Sequence, residues 1–112
     1  MLGASYKKNV GDIRESPFFG VATLLKKRGA LVDYHDPFVP ELMHMRHFPG
    51  FSSDDKSIDL TAENLSSYDM VFIITDHTDV DYDLVGTHAK LIIDTRNVMS
   101  DLPQHLDKTF KA

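Results

Sequence analysis

The 112-residue sequence contains no cysteine, which excludes disulfides, thiolate metal sites and any reaction built on a cysteine nucleophile within this chain. Long hydrophobic runs are also missing. The longest apolar stretch, Met70–Ile74, falls far short of the roughly 20 residues a membrane helix needs. Nor is there a secretory leader pattern, because Lys7 and Lys8 follow the first apolar residues instead of preceding them. An excess of positive charge is lacking too. The formal net charge of −5 argues against a non-specific nucleic-acid binder, which normally carries a basic face. Repeats, low-complexity tracts and linkers are absent, so the length corresponds to one domain. These absences lead to the expectation of a soluble, cytoplasmic protein with neither a nucleic-acid nor a membrane partner.

The residues present describe a folded domain: 42% are hydrophobic and 26% charged, close to average globular usage. Met1 to Tyr6 reads as a short strand. Ser16-Pro17 pairs a hydroxyl N-cap with proline at the first helical position. Phe18, Val21, Ala22 and Leu25 then give one apolar helix face, Lys26, Lys27 and Arg28 suit its C-terminal end, and Gly29 stops it. Ala30 to Tyr34 reads as a second strand, halted by Asp36-Pro37. Residues 38–59 read mostly as loop. Thr61 caps a short helix, with Leu60 and Leu65 spaced as a hydrophobic staple. Met70–Ile74 reads as a strand buried on both faces, Asp79–His88 as a helix, and Leu91–Ile93 as another buried strand. Beyond Pro103 the chain is polar and is expected to fray. Alternating helices and apolar strands imply an α/β, Rossmann-like three-layer domain, with a mostly parallel sheet covered by helices on both faces.

In such sheets ligands bind beyond the carboxyl ends of the strands. Those ends are Tyr6-Lys7-Lys8-Asn9, Asp36-Pro37, Thr75-Asp76-His77 and Asp94-Thr95-Arg96-Asn97, with Arg14 one loop beyond the first. Lysine as a point charge and arginine as a planar fork are the usual phosphate partners. The cations therefore point to a phosphate- or diphosphate-bearing ligand. The competing reading pairs Lys7, Lys8 and Arg14 with Asp12 and Glu15 as ordinary solvated loop charges, and spacing alone favours it. A dinucleotide-binding fingerprint fails, because Gly3, Gly11 and Gly20 lack the required spacing. Without that loop Asp36 reads as a turn-former before Pro37 and not as a ribose ligand. His44 and His47 have the spacing of one helix face but no evident third ligand, so no metal is expected. His77 beside Asp76 is a candidate acid–base pair, although neighbours in a turn usually point apart. No Ser-His-Asp arrangement is defensible, and no catalytic residue is assigned.

The run Tyr6-Lys7-Lys8-Asn9-Val10-Gly11-Asp12-Ile13-Arg14-Glu15-Ser16-Pro17 resembles the opening motif of the C-terminal, UDP-binding domain of the nucleotide-sugar 6-dehydrogenases. That family comprises UDP-glucose, UDP-N-acetylglucosamine, UDP-N-acetylmannosamine and GDP-mannose dehydrogenases. The likeness continues in order through Tyr34-His35-Asp36-Pro37, Ser67-Tyr68-Asp69, Thr75-Asp76-His77 and Asp94-Thr95-Arg96-Asn97, covering about residues 2 to 99. It is greatest to the UDP-N-acetylglucosamine 6-dehydrogenases.

The resemblance implies that Tyr6 and Lys7 contact the nucleotide sugar, that Arg96 contacts substrate across a subunit boundary, and that Arg14 reaches NAD bound by a partner domain. It implies a UDP-sugar ligand, an NAD-dependent parent enzyme that oxidises a C6 alcohol to a uronic acid for surface polysaccharides, and a homo-oligomer. Residues 1–100 are then the UDP-sugar-binding domain and residues 101–112 a polar tail. The family's NAD-binding domain, central dimerisation domain and catalytic cysteine have no counterpart in this sequence, so the chain resembles an excised domain that is inactive alone. Two alternatives accompany this reading: a structural or oligomerisation domain with little ligand contact, and recognition of GDP-mannose in place of a UDP-sugar.

Overall fold

The computed structural model describes residues 1–112. Its first regular element is helix α1, Pro17–Lys27, and the sequence signals at both ends hold. Ser16 stays extended, and its Oγ accepts from the Phe18 amide. At the other end Gly29 adopts φ +91°, the left-handed conformation that suits glycine just past a helix. Phe18, Phe19 and Ala22 are the fully buried residues of this helix. Helix α2, Ala62–Ser67, is capped by Thr61 Oγ1 accepting from the Asn64 amide. Strand β1, Val71–Ile73, leads to helix α3, Tyr82–His88, whose cap is Asp81. Strand β2, Ile92–Asp94, is followed by two 3₁₀ turns, Val98–Asp101 and Pro103–Lys108, and then by strand β3, Thr109–Lys111.

The regular sheet is parallel in the order β1-β2-β3. Single parallel bridges extend it on the other side. Leu2 lies between Ile73 and His35, and Tyr34 bridges Ser57. The Leu2 amide donates to the Phe72 carbonyl, and the Ile74 amide donates back to Leu2. Across the sheet the order is therefore Ser57, Tyr34–His35, Leu2, β1, β2, β3. Chain order reverses between the Leu2 segment and β1, and that switch point is where α/β sheets open a crevice at their carboxyl ends.

Period-2 alternation explains the two covered faces. Ile74 joins one core cluster with Phe18, Phe19, Ala22, Tyr34 and Phe51, and Phe72 packs against it. Val71 and Ile73 point the other way, into a second cluster with Leu2, Leu65, Val85, Ile92 and Met99. Helix α1 thus covers one face, while α2, α3 and the first 3₁₀ turn cover the other, which is the expected three-layer arrangement.

Three expectations change. Met1–Tyr6 is not a regular strand but pairs through single bridges at Leu2. Ala30–Tyr34 is not a regular strand: Leu31 is 96% exposed, and pairing begins only at Tyr34. Residues 38–59 are loop without regular elements, as expected, and supply Val39, Leu42 and Phe51 to the first core cluster. The chain beyond Pro103 does not fray. It turns through 3₁₀ geometry and pairs as β3 along β2, with His105 buried against Gly86 and bonded to Asp83. Backbone pairing to β2 holds this edge, which needs no apolar alternation of its own.

Candidate functional site

The loops at the carboxyl end of the sheet are built on a buried polar hub. Asp36, 2% exposed, accepts four hydrogen bonds. Its Oδ2 takes the amides of Ala4 (2.8 Å) and Ser5 (3.1 Å) and His77 Nε2 (2.8 Å), while Oδ1 takes the Phe38 amide (2.8 Å). The turn-former reading of Asp36 is therefore incomplete. The Phe38 bond makes the turn, and the other three tie it to the first and third strand ends. Buried at 2% exposure among these four donors, the carboxylate presents no oxygen to a ribose hydroxyl.

His77 is fully buried, and its partner is Asp36, not the adjacent Asp76. The Asp76–His77 acid–base pair does not form. The Asn9 amide donates to His77 Nδ1 at 2.8 Å, which places the ring proton on Nε2, shared between Asp36 Oδ2 and Ser5 Oγ at 3.0 Å. Ser5 Oγ in turn donates to the Lys7 carbonyl. A hydrolytic triad needs the carboxylate on one ring nitrogen and the nucleophile on the other. Here serine and aspartate share one nitrogen and a backbone amide blocks the second, so the trio fastens loops and cannot act as a base.

Above this hub lies the exposed rim. Asn9, at φ +63°, clasps Thr78 with both side-chain atoms: Nδ2 donates to Thr78 Oγ1 (2.9 Å), and Oδ1 accepts from the Thr78 amide (3.0 Å). The cation loop Tyr6–Asn9 is thereby pinned to the loop after β1. Asp76 points into the gap between loops, facing Lys8 Nζ at 4.0 Å and Arg96 Nε at 3.2 Å. The Arg96 amide is itself held by Asp94 Oδ1 at 2.9 Å. Cations from the first and fourth strand ends thus meet at the third. Carboxylates lie beneath them: the Tyr82 phenol is pushed up by burial first, then by the charges of Asp76, Asp94 and Asp36.

The residues singled out from sequence fall out unevenly. Tyr6 is 55% exposed and Lys7 is exposed with no carboxylate partner, both on the pinned loop. Arg96 sits at the rim with its Nη fork unbonded. Arg14 follows the solvated-charge reading: its Nε and Nη2 are both spent on Asp12, which holds that carboxyl down at about 2. His44 and His47 lie in a loop closed by a Met45–Phe48 bridge, so the shared helix face does not exist. Asp76 was read only as a candidate partner of His77, and Asn9 only as part of a motif; their roles depend on contacts across 20 and 69 residues.

Residues 1–101 match the model of the UDP-glucose/GDP-mannose dehydrogenase family, UDP binding domain. The chain is 30% identical over 107 residues to the UDP-N-acetyl-D-mannosamine dehydrogenase of Methanococcus maripaludis, covering 88% of this chain and 22% of that relative. It is 30% identical over 123 residues to the UDP-glucose 6-dehydrogenase of Bos taurus, covering 95% and 24%. Among solved structures it is similar to a derivative structure of the UDP-N-acetyl-mannosamine dehydrogenase Cap5O from S. aureus. The TM-score is 0.57 at 30% identity, over 87% of this chain and 21% of that one. The chain thus spans under a quarter of the length of these proteins.

Proposed function

The chain belongs to the UDP-glucose/GDP-mannose dehydrogenase family, as its UDP-binding domain, and on that premise we propose that its carboxyl-end rim grips the diphosphate of a UDP-sugar. The observation that carries this reading is the meeting of Lys8, Asp76 and Arg96 from three loops at the switch point of the sheet. Lys7 and Arg96 neutralise diphosphate charge, and the exposed Tyr6 ring packs near the nucleotide. The open Nη fork of Arg96 suits a planar, bidentate contact with phosphoryl oxygens. The ligand is an N-acetylated UDP-hexosamine. Two of the similar proteins are named UDP-N-acetyl-mannosamine dehydrogenases, and UDP-glucose 6-dehydrogenase matches at the same identity.

The parent activity is NAD-dependent oxidation of the sugar C6 alcohol to a uronic acid for surface polysaccharides, in the cytoplasm, by a homo-oligomer. The residues present do not form an NAD site: the first strand end carries lysines in place of a glycine-rich cradle, and Asp36 is buried among four internal donors. NAD therefore belongs to a separate domain of the parent enzyme. Arg14 reaches towards it on releasing Asp12, an exposed pair that is cheap to break. With no cysteine, this chain does not itself carry the oxidation.

Titration of the chain with UDP, followed by amide NMR shifts, tests the reading, with UMP and GDP as comparators. Losing one charge-assisted contact removes about 1.5–3 kcal/mol, so Arg96→Ala weakens UDP binding by more than about tenfold. An unchanged dissociation constant removes Arg96 from the site. UMP binding as well as UDP removes the diphosphate from the argument.

A further inference from the structure

We infer that Asp76 is a positioning residue that aims Arg96 at the ligand, and not simply a counterion that the ligand must displace; this rests on the UDP-binding reading above. Two observations converge on it. The first is the economy of the Arg96 bonds. Its backbone amide is fixed by Asp94 Oδ1 and its Nε by Asp76 Oδ1, which leaves both Nη atoms without a protein partner. Arg14 shows the opposite pattern, with Nε and Nη2 both closed on Asp12. A carboxylate that takes only Nε orients the guanidinium plane without consuming the fork that binds an oxyanion.

The second observation is where Asp76 sits. Its side chain is 17% exposed, between cations that are 51% and 58% exposed. Arg96 is thus braced by a carboxylate less exposed than itself while its Nη end faces solvent. The other oxygen of Asp76 faces Lys8 Nζ at 4.0 Å, so the same carboxylate offsets the repulsion of two like charges that approach one another. Asp76 in turn lies three residues past the end of β1, and its loop is pinned by Asn9 and by buried His77. The aim of Arg96 is therefore referenced to the sheet.

The two roles predict opposite signs. A mere counterion opposes anion binding, so its removal tightens UDP. A positioning carboxylate loosens Arg96 when removed, so UDP binds more weakly even though a negative charge has gone. Asp76→Ala is expected to weaken UDP binding by about three- to tenfold. Asp76→Asn keeps an oxygen acceptor for Nε and restores binding to the wild-type level or better. The Arg96 Nε–H signal, slowed in exchange with water by its bond to Asp76, is expected to exchange fast in Asp76→Ala and to recover in Asp76→Asn. A merely structural role moves neither in that order.

Arg96→Ala serves as the reference. If it weakens UDP while Asp76→Ala leaves affinity unchanged or higher, the positioning role is overturned and the UDP reading stands. If UDP fails to bind the wild-type chain, the UDP reading is overturned, and Asp76 is judged by the Nε–H signal alone. Identical exchange in wild type and Asp76→Ala then overturns the positioning role as well.

Discussion

Replacing Asp36 with alanine should remove a large part of the stability of the chain, while replacing it with asparagine should not. The carboxylate accepts four N–H donors, and three of them, from Ala4, Ser5 and His77, belong to residues with no exposed surface. The fourth, from Phe38, is close enough to solvent to find water. A buried donor left without a partner costs about 1–3 kcal/mol, so the Ala4 and Ser5 amides together cost about 2–6 kcal/mol, and His77, which keeps Ser5 Oγ as an acceptor, adds less. A domain of this size is stable by only about 5–15 kcal/mol. Asparagine can keep its oxygen towards the three buried donors and turn its NH₂ towards Phe38, which limits the loss to about 1–2 kcal/mol. Urea unfolding followed by far-UV circular dichroism measures both. With a slope of about 1–3 kcal/mol per molar, the two variants separate by about a molar or more in midpoint. Equal losses for Asn and Ala, or an alanine variant within about 1 kcal/mol of wild type, would show that the hub does not hold the loops as argued.

Gly3→Ala should cost about 2–5 kcal/mol in the same assay, since φ is +90° and a Cβ would lie 2.4–2.7 Å from Cβ, N and O of Thr75, whose backbone cannot swing aside. Ser16→Ala should cost about 1–2 kcal/mol: it loses the cap on α1 and the bond to the Ser5 carbonyl, which Thr75 Oγ1 still satisfies. Asp12 should titrate near 2 by carboxyl NMR and return towards 3.8 in Arg14→Ala. Because its folded value is depressed, the stabilisation from this pair is full above about pH 4 and fades as pH falls towards 2. A midpoint unmoved by Arg14→Ala contradicts the pairing.

The helices were legible because their signals are local. Ser16-Pro17, Thr61 and Gly29 mark ends through their own backbone and caps, and the structure places them there. Helix α3 starts at Tyr82, three residues later than Asp79, because Asp81 supplies the cap. β1 was visible as an apolar run because both its faces are buried. β3 was not, since Thr109-Phe110-Lys111 is an exposed edge held by backbone bonds to β2. At the site, the gathering of cations at strand ends followed from topology. The hub did not, because Ser5, Asp36 and His77 come together from positions 31, 41 and 72 residues apart. Nothing in a periodicity reveals that a polar side chain is buried.

The clasp between Asn9 and the loop after β1 determines when ordering is completed. Three hydrogen bonds, one from its backbone amide and two from its carboxamide, make the two loops one rigid piece. The conformational entropy of arranging the lysine-bearing backbone is therefore lost during folding and not on encounter with a ligand. What remains mobile is the lysine stems themselves. Such preorganisation lets a small diphosphate be held firmly by a handful of contacts.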